Sequence, residues 1–422
     1  MSYNEIAKLN VPVGVTCIDL EPTKRTRIAA GFNDGSIVLY DILIKNDSAE
    51  FKEIKRDNIE EHYYSINSLS WSPDGTKIVS GNSDGGIQIW NAETLEIIST
   101  LRDGNINVSS VAWSPDSTRI VSGSTVYVGD SDRSGHVVIW DAATYKIIKT
   151  LGEGDEEPNT NILTVSWRPN GEWNKGEPYN GMEWIESSGD DGIIYSWGVG
   201  DETGEGLLSY VEGNDSNIKC MCMAFNAEGT RIAYGLSNGE LFSQNPETGD
   251  NIVNMKGHTS SVNSLCWSRN GNVIVSGSSD NSVRVWNAAD GSQKNILNGH
   301  DNEVTSVAIS YDNNYIFSAG LDKTIRVWVK SIQIAKQQFT KKYTEDIINR
   351  TLRKRAYRPE GFFGEEDPGG IEFQAAKKRW NLRNKSDGGK KRKGKTNKKK
   401  HTKKRKTKKT ISCTVRRFKS LL

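Results

Sequence analysis

The sequence predicts an all-β protein assembled from repeated four-stranded antiparallel units, and three observations lead to that class. First, SGSSDNSVRVW at Ser276–Trp286 returns as SGNSDGGIQIW at Ser80–Trp90 and as SAGLDKTIRVW at Ser318–Trp328. Second, in each copy Asp follows Ser by four residues, Trp follows Asp by six, and a His stands 18 residues ahead of the Ser. Third, the residues around this frame form short runs of alternating β-branched side chains separated by turns rich in Gly, Asn, Asp and Pro, which is strand patterning.

Taken in chain order, seven units emerge. The first, VTCIDLEPTKRTRIAAGFNDGSIVLYD, keeps Asp34 but has Ala30 and Tyr40 in the Ser and Trp slots. The second is complete, with His62, Ser80, Asp84 and Trp90. The third has Ser122 and Trp140, with Gly104 in the His slot and an insertion, TVYVGDSDR at Thr125–Arg133, ahead of the Trp strand. The fourth keeps Ser187, Asp191 and Trp197, has Pro158 in the His slot, and inserts GEWNKGEPYNG between its first two strands. The fifth has decayed furthest, with Ser216, Tyr234, Asn238 and Gln244 in the four slots. The sixth (His258, Ser276, Asp280, Trp286) and seventh (His300, Ser318, Asp322, Trp328) are complete. Each complete unit has an apolar residue four after the His (Ile66, Val262, Val304), then a strand such as SVNSLCW and a turn such as SPDG or SRNG. A fixed period of this length marks a repeat architecture.

The GH dipeptides (Gly257 and His258, Gly299 and His300), the SxxxD turn and the terminal Trp140–Asp141 or Trp286–Asn287 resemble the WD-repeat family, over roughly residues 4–330. The resemblance implies a seven-bladed β-propeller of four-stranded antiparallel blades across residues 1–330. Closure has its own sequence argument. EIAKL at Glu5–Leu9 looks like EIISTL at Glu96–Leu101, the outer strand after a Trp strand, so the N-terminal strand is expected to complete the last blade and leave no open edge. The resemblance also implies a hydrogen-bonded relay within a blade from Asp to His to Ser to the Trp indole. The rival chemistry for Ser, His and Asp is a hydrolase triad. Three copies in register with Trp, without a G-x-S-x-G elbow or an oxyanion-hole signal, favour the structural relay.

Little else in the chain suggests chemistry. His136 lies in the strand-like run GHVVIW and has no second His or Cys at metal spacing, and His401 lies in a basic tract. Asp190, Asp191 and the GDEE run at Gly154–Glu157 read as solvated loop charge. No P-loop, strand-borne GxGxxG or HExxH occurs, so neither enzyme activity nor a cofactor is expected. The five cysteines (Cys17, Cys220, Cys222, Cys266, Cys413) form no CxxC and read as buried thiols of a reducing compartment. The N-terminal MSYNEIAKLN lacks a secretory pattern and no run approaches 18 apolar residues, so the expected location is intracellular, in nucleus or cytoplasm, without membrane association.

Propellers bind at one end of the channel, and the resemblance places partner-facing positions three and five residues after the His slot and one before the Asp. These are Gly14, Thr16 and Asn33; Ser65, Asn67 and Ser83; Asn107 and Ser109; Asn161, Leu163 and Asp190; Lys219, Met221 and Ser237; Ser261, Asn263 and Ser279; Glu303, Thr305 and Leu321. The mouth is small and polar, with Leu163 and Met221 as an apolar exception on adjacent units. The Thr125–Arg133 insertion is expected to rise on the same face. The Arg through which many family members recruit ubiquitin ligases is replaced by Ala143 and Ala289.

Past Trp328 the β pattern stops. Phe339, Tyr343, Ile347 and Leu352 recur at helical spacing, with Glu345 and Asp346 early and Arg353, Lys354 and Arg355 late, which suits the helix dipole. A short helical extension is therefore expected across 331–383, and a disordered Lys/Arg-rich tail across 384–422. The tail holds KKRK twice, as Lys390, Lys391, Arg392 and Lys393 and again as Lys403, Lys404, Arg405 and Lys406. This suits nuclear import or nucleic-acid contact, and the lack of aromatic residues in the tract limits it to phosphate neutralisation. Residues 1–330 carry 25 basic against 45 acidic side chains, and residues 383–422 carry 19 against 1. The expected function is a monomeric, non-catalytic scaffold for a protein or peptide partner. The alternative is a nucleic-acid-associated factor in which the tail binds and the propeller is the adaptor.

Overall fold

The computed structural model describes residues 2–331 apart from 24–25, 46–47, 58–63, 103, 105, 129–131, 152–160, 170–182, 200–205 and 210–217. The expected helical extension and basic tail lie outside the described residues, as do His62, Pro158 and Ser216. Among the described residues, 28 strands form seven four-stranded antiparallel sheets, which are the blades of a propeller. Six blades are continuous in sequence. The seventh takes Val304–Ile309, Tyr315–Gly320 and Thr324–Lys330 from one end of the propeller sequence and Tyr3–Asn10 from the other. Tyr3 pairs with Lys330 and Asn10 with Thr324, Arg326 Nη1 donates to Glu5 Oε2 at 2.7 Å, and the Ser331 amide donates to Ser2 O at 2.9 Å. The N-terminal strand thus completes the last blade, as EIAKL suggested. The Thr125–Arg133 insertion lengthens the hairpin between the second and third strands of its blade, with Thr125 opposite Gly135 and Val128 opposite Asp132.

The first strand of each blade lies beside the first strand of the next, all the way round the ring. The seams between blades follow a rule the sequence analysis did not extract. The residue after the Ser slot is glycine in five blades, and the β-branched residue that opens the next inner strand presses into the space a Cβ would take. A Cβ on Gly277 would meet Val304 Cγ1 at 2.6 Å and Val307 Cγ1 at 2.9 Å; Gly31 faces Ile66, Gly81 faces Val108, Gly123 faces Ile162 and Gly235 faces Val262 in the same way. Between the fourth and fifth blades the pair is Ser188 and Cys220: the smaller cysteine leaves room for the serine, whose Oγ donates to Cys220 O at 3.3 Å. A second girdle joins the opposite ends of these strands. Trp71, Trp113 and Trp267 donate their indole N–H to Asp19 O, Ser70 O and Ala224 O of the preceding blades at 3.3, 3.2 and 2.9 Å.

Within blades, the relay has the geometry of a buried, fully paired network. His258 Nδ1 lies 2.8 Å from Asp280 Oδ2 and its Nε2 lies 2.8 Å from Ser276 Oγ, while the Trp286 indole donates to Ser276 Oγ at 2.8 Å. His300, Asp322, Ser318 and Trp328 repeat it at 2.9, 2.8 and 2.9 Å. The indole-to-serine bond also forms from Trp90 to Ser80, Trp140 to Ser122 and Trp197 to Ser187. In the second blade Asp84 is salt-bridged to Arg102 at 2.6 Å. The fifth blade replaces the Ser–Trp bond with one between Tyr234 and Gln244. Asn238, in its Asp slot, is exposed and bonds only Glu240.

The seam between the fourth and fifth blades also buries a carboxyl. Glu186 is 3% exposed at a position that is Val79, Val121 or Val275 in other blades, and Ser196 Oγ donates to its Oε2 at 2.7 Å. Burial pushes the Glu186 carboxyl up to about 8, against the opposing effects of Ser196 and the Arg168 charge. Burial likewise holds His258 and His300 below the usual imidazole value, although Asp280 and Asp322 pull the other way. For Asp280 burial acts upward, but the bonds from Ser282 and His258 prevail and bring it to about 2.

Two predictions follow from these contacts. In thermal melts, Gly277→Ala and Asp280→Ala should each cost about 1–3 kcal/mol, through overpacking in one case and an unpaired buried His258 in the other. Asn238→Ala should cost much less, and equal, negligible effects would refute the assignment. For pH, Glu186 binds its proton more tightly when folded, so its contribution is lost as pH rises from 4.5 towards about 8. The histidines bind theirs less tightly, so their contribution is lost as pH falls below 6.5. Melting temperature against pH should therefore decline on both sides, and Glu186→Gln should flatten the alkaline limb alone.

Candidate functional site

The inner strands run from their β-branched first residues at one end of the channel to the Trp girdle at the other. The connections between blades and the turns that carry the Asp slots gather at the first end. Here the structure brings together most of the positions expected to face a partner. In six blades the residue before the Asp slot donates its amide to the carbonyl three residues after the His slot. These bonds run Asn33 to Gly14, Ser83 to Ser65, Asp190 to Asn161, Ser237 to Lys219, Ser279 to Ser261 and Leu321 to Glu303, at 2.9–3.1 Å. The third blade, with its lengthened hairpin, instead bonds the Ile106 amide to Thr125 O at 3.2 Å. The rim is thus a set of paired loops anchored by backbone hydrogen bonds.

The positions five after the His slot lie deeper and line the channel, a cavity of about 560 Å³. Four of them bridge to the next blade: Asn67 Nδ2 donates to Val108 O at 2.9 Å, Ser109 Oγ to Ile162 O, Asn263 Nδ2 to Val304 O at 3.1 Å, and Thr305 Oγ1 to Val15 O at 2.7 Å. Thr16 Oγ1 donates within its own blade, to Gly31 O at 2.9 Å. These short polar side chains are therefore engaged in holding the ring. Leu163 and Met221 occupy the two remaining positions on adjacent blades, half-buried in the channel wall with no polar atom able to form this bridge. Beside them, Asp190 accepts from Asn161 N at 3.0 Å and Nδ2 at 2.6 Å, and Lys219 Nζ lies 3.7 Å from its Oδ2. The apolar pair thus has a charged rim on one side.

Further down the channel, Asp19 accepts the Trp71 amide at 2.8 Å and the Leu20 amide at 2.8 Å. Burial nonetheless pushes its carboxyl up to about 6. Its neighbours are thiols: burial drives Cys17 and Cys266 up to about 12, so both are protonated and poor nucleophiles at neutral pH. Cys17, Cys220 and Cys222 are buried, Cys266 is half-buried, and Cys413 lies outside the described residues. Among the described residues no group of three His, Cys, Asp or Glu side chains is placed to hold a metal ion. Neither the carbonyl-bridging role of Asn67, Ser109, Asn263 and Thr305 nor the place of Asp19 is legible in the repeat spacing, because each joins two blades.

Comparison with known proteins agrees with the architecture. The WD domain, G-beta repeat family matches residues 54–91, 96–141, 249–287 and 291–329, four segments that each end one residue past a Trp: Trp90, Trp140, Trp286 and Trp328. A 78 kDa dynein intermediate chain of the flagellar outer arm from Chlamydomonas reinhardtii is 28% identical over 90 residues, which is 20% of this chain and 13% of that one. The chain thus aligns with only a small part of that relative. Propellers of this family typically serve as non-catalytic scaffolds that bind protein partners. Four segments of the chain thus match the WD-repeat model, and the chain closes into a propeller of seven four-stranded blades.

Proposed function

We propose that the chain is a non-catalytic scaffold that takes a protein or peptide partner at the loop end of its channel, centred on Leu163 and Met221. The observation that carries this reading is the interruption of the channel's polar bridges at those two blades. At four of the other five blades the equivalent side chain is consumed by a bond to the next blade, as at Asn263 and Thr305, and at the first Thr16 is consumed by a bond within its own blade. At the fourth and fifth blades it is apolar and lines open space, which suits an anchor side chain at the centre of an interface. Ser65 and Lys219 supply polar groups at the rim and Leu321 an apolar one, while Thr16, Asn67, Ser109, Asn263 and Thr305 form the polar wall below them. The dynein chain with partial likeness is, by its name, a component of a flagellar arm, which favours a scaffolding role within an assembly. Leu163→Asp combined with Met221→Asp should abolish capture of the partner in affinity purification without lowering the melting temperature. Retained capture would move the interface elsewhere.

The charge of residues 383–422, 19 basic against 1 acidic, favours a second role, in polyanion binding or nuclear import through Lys390–Lys393 and Lys403–Lys406. Binding through this segment is electrostatic and indifferent to sequence. Neutralising about six to ten phosphates makes affinity for RNA or DNA fall on the order of a thousandfold or more between about 50 and 200 mM salt. Residues 1–330, with 20 excess acids, repel the same ligand. In a salt series the isolated segment 383–422 should bind more tightly than the full chain, and residues 1–382 should not bind. Salt-insensitive or sequence-selective binding by residues 1–382 would make the propeller itself the reader of nucleic acid.

A further inference from the structure

At the end of the channel away from the loops, a pocket of about 330 Å³ is lined by Leu20, Phe225, Trp267, Arg269, Ile309 and Tyr311, among others. It arises from a gap in the Trp girdle. The second, third, fourth and sixth blades end their inner strands in Trp71, Trp113, Trp167 and Trp267, whereas the first, fifth and seventh end in Leu20, Phe225 and Ile309. The smaller side chains around Trp267 leave a hollow that indoles fill elsewhere.

The rim of this hollow is charged in one sense. The Arg269 guanidinium stacks 3.7 Å from the centre of the Tyr311 ring, and Tyr311 is 46% exposed. Arg269 is exposed and forms no ion pair among the described residues. The one acid of the lining, Glu21, is buried, accepts from Thr23 Oγ1 at 2.6 Å and lies 3.6 Å from Arg27 Nε. The pocket therefore suits an apolar or aromatic side chain with a carboxylate beside it, since a guanidinium prefers a carboxylate partner and strengthens its aromatic stacking when desolvated.

The chain itself passes this point. The Lys330 amide donates to Asn314 O at 3.2 Å, and Asn314 ends the turn that carries Tyr311. The chain thus leaves the described structure next to the pocket. The sequence that follows, IQIAKQQFTKKYTEDIIN, has Phe339, Tyr343 and Ile347 four residues apart and Glu345 and Asp346 between the last two. Four-residue intervals put side chains on one helix face. Eight residues of extended chain reach about 26 Å, and the third strand of a blade is about 10 Å from its first.

We propose that the segment Phe339–Ile347 docks in this pocket, seating an aromatic side chain against Trp267 and pairing Glu345 and Asp346 with Arg269. Hydrogen exchange of the full-length chain, read by mass spectrometry, tests it. Amides within 338–348 should exchange at least about tenfold more slowly than in a free peptide of the same sequence. Arg269→Glu should remove that protection while the strands Val262–Trp267 and Val304–Ile309 stay protected, which separates undocking from misfolding. Arg269→Glu combined with Glu345→Lys and Asp346→Lys should restore it. Free-peptide exchange rates in the unmodified chain, unchanged protection in Arg269→Glu, or failure of the charge swap to restore protection would each overturn the assignment.

Discussion

The fold depends on how closely one blade can approach the next. A four-stranded sheet of this size cannot bury its faces alone, so each blade is stable only while its neighbours cover it. Coverage is tight because the middle of one blade presents a glycine where the next blade inserts Val or Ile, as at Gly277 with Val304. A methyl group on Gly277 would meet Val304 Cγ1 at 2.6 Å, so the seam there would have to shift. The bridging bonds from Asn67, Asn263 and Thr305 and the indole bonds of the Trp girdle act along the same seams and fix the angle between blades.

The seam between the fourth and fifth blades departs from this pattern at several points at once. Glycine and a β-branched residue become Ser188 and Cys220, an apolar position becomes Glu186, the Ser–Trp bond becomes Tyr234 with Gln244, and the polar bridges give way to Leu163 and Met221. Each exchange is locally compensated: the serine finds a carbonyl, the carboxyl a hydroxyl, and the tyrosine an amide. Buried polar groups that are fully paired hold their geometry but do not gain the stabilisation of an apolar seam. The same seam frames the candidate partner site, so specialisation there has been accommodated at some loss of regularity in the ring.

Much of this was legible in the sequence because the repeat writes one spacing several times. His258, Ser276, Asp280 and Trp286 are hydrogen-bonded within one blade, so their separations survive from copy to copy and announce the relay. The closing strand was legible for the same reason, since EIAKL repeats the form of an outer strand. What escaped was everything between blades. Asn67 reaching Val108 or Trp267 reaching Ala224 links residues about one repeat apart, and neither end carries an unusual residue. The glycine after the Ser slot in five blades and the Trp that ends the inner strand in four were visible as columns, but their meaning required the neighbouring blade. Four of the short polar residues expected at the mouth, Asn67, Ser109, Asn263 and Thr305, also bridge to the next blade, and the sequence does not tell the two tasks apart because a hydroxyl or amide side chain is equally suited to both.

The seventh blade has a consequence for how the protein is made. Its outer strand, Tyr3–Asn10, leaves the ribosome before the other six blades, and its partner, Thr324–Lys330, emerges only after them. At about 5–20 residues per second, the early strand waits on the order of tens of seconds with its hydrogen-bonding edge unsatisfied. During that interval Glu5 has no Arg326 to pair with, and the alternation of polar and apolar residues in YNEIAKLN keeps the strand from being a continuous apolar surface. Ring closure is thus the most non-local step of folding, and the slowest to nucleate by the usual relation between sequence separation and rate. A newly made chain would pass through an open arc of blades that exposes two complementary edges, and two such chains held close together could exchange their first strands before either had closed its own ring.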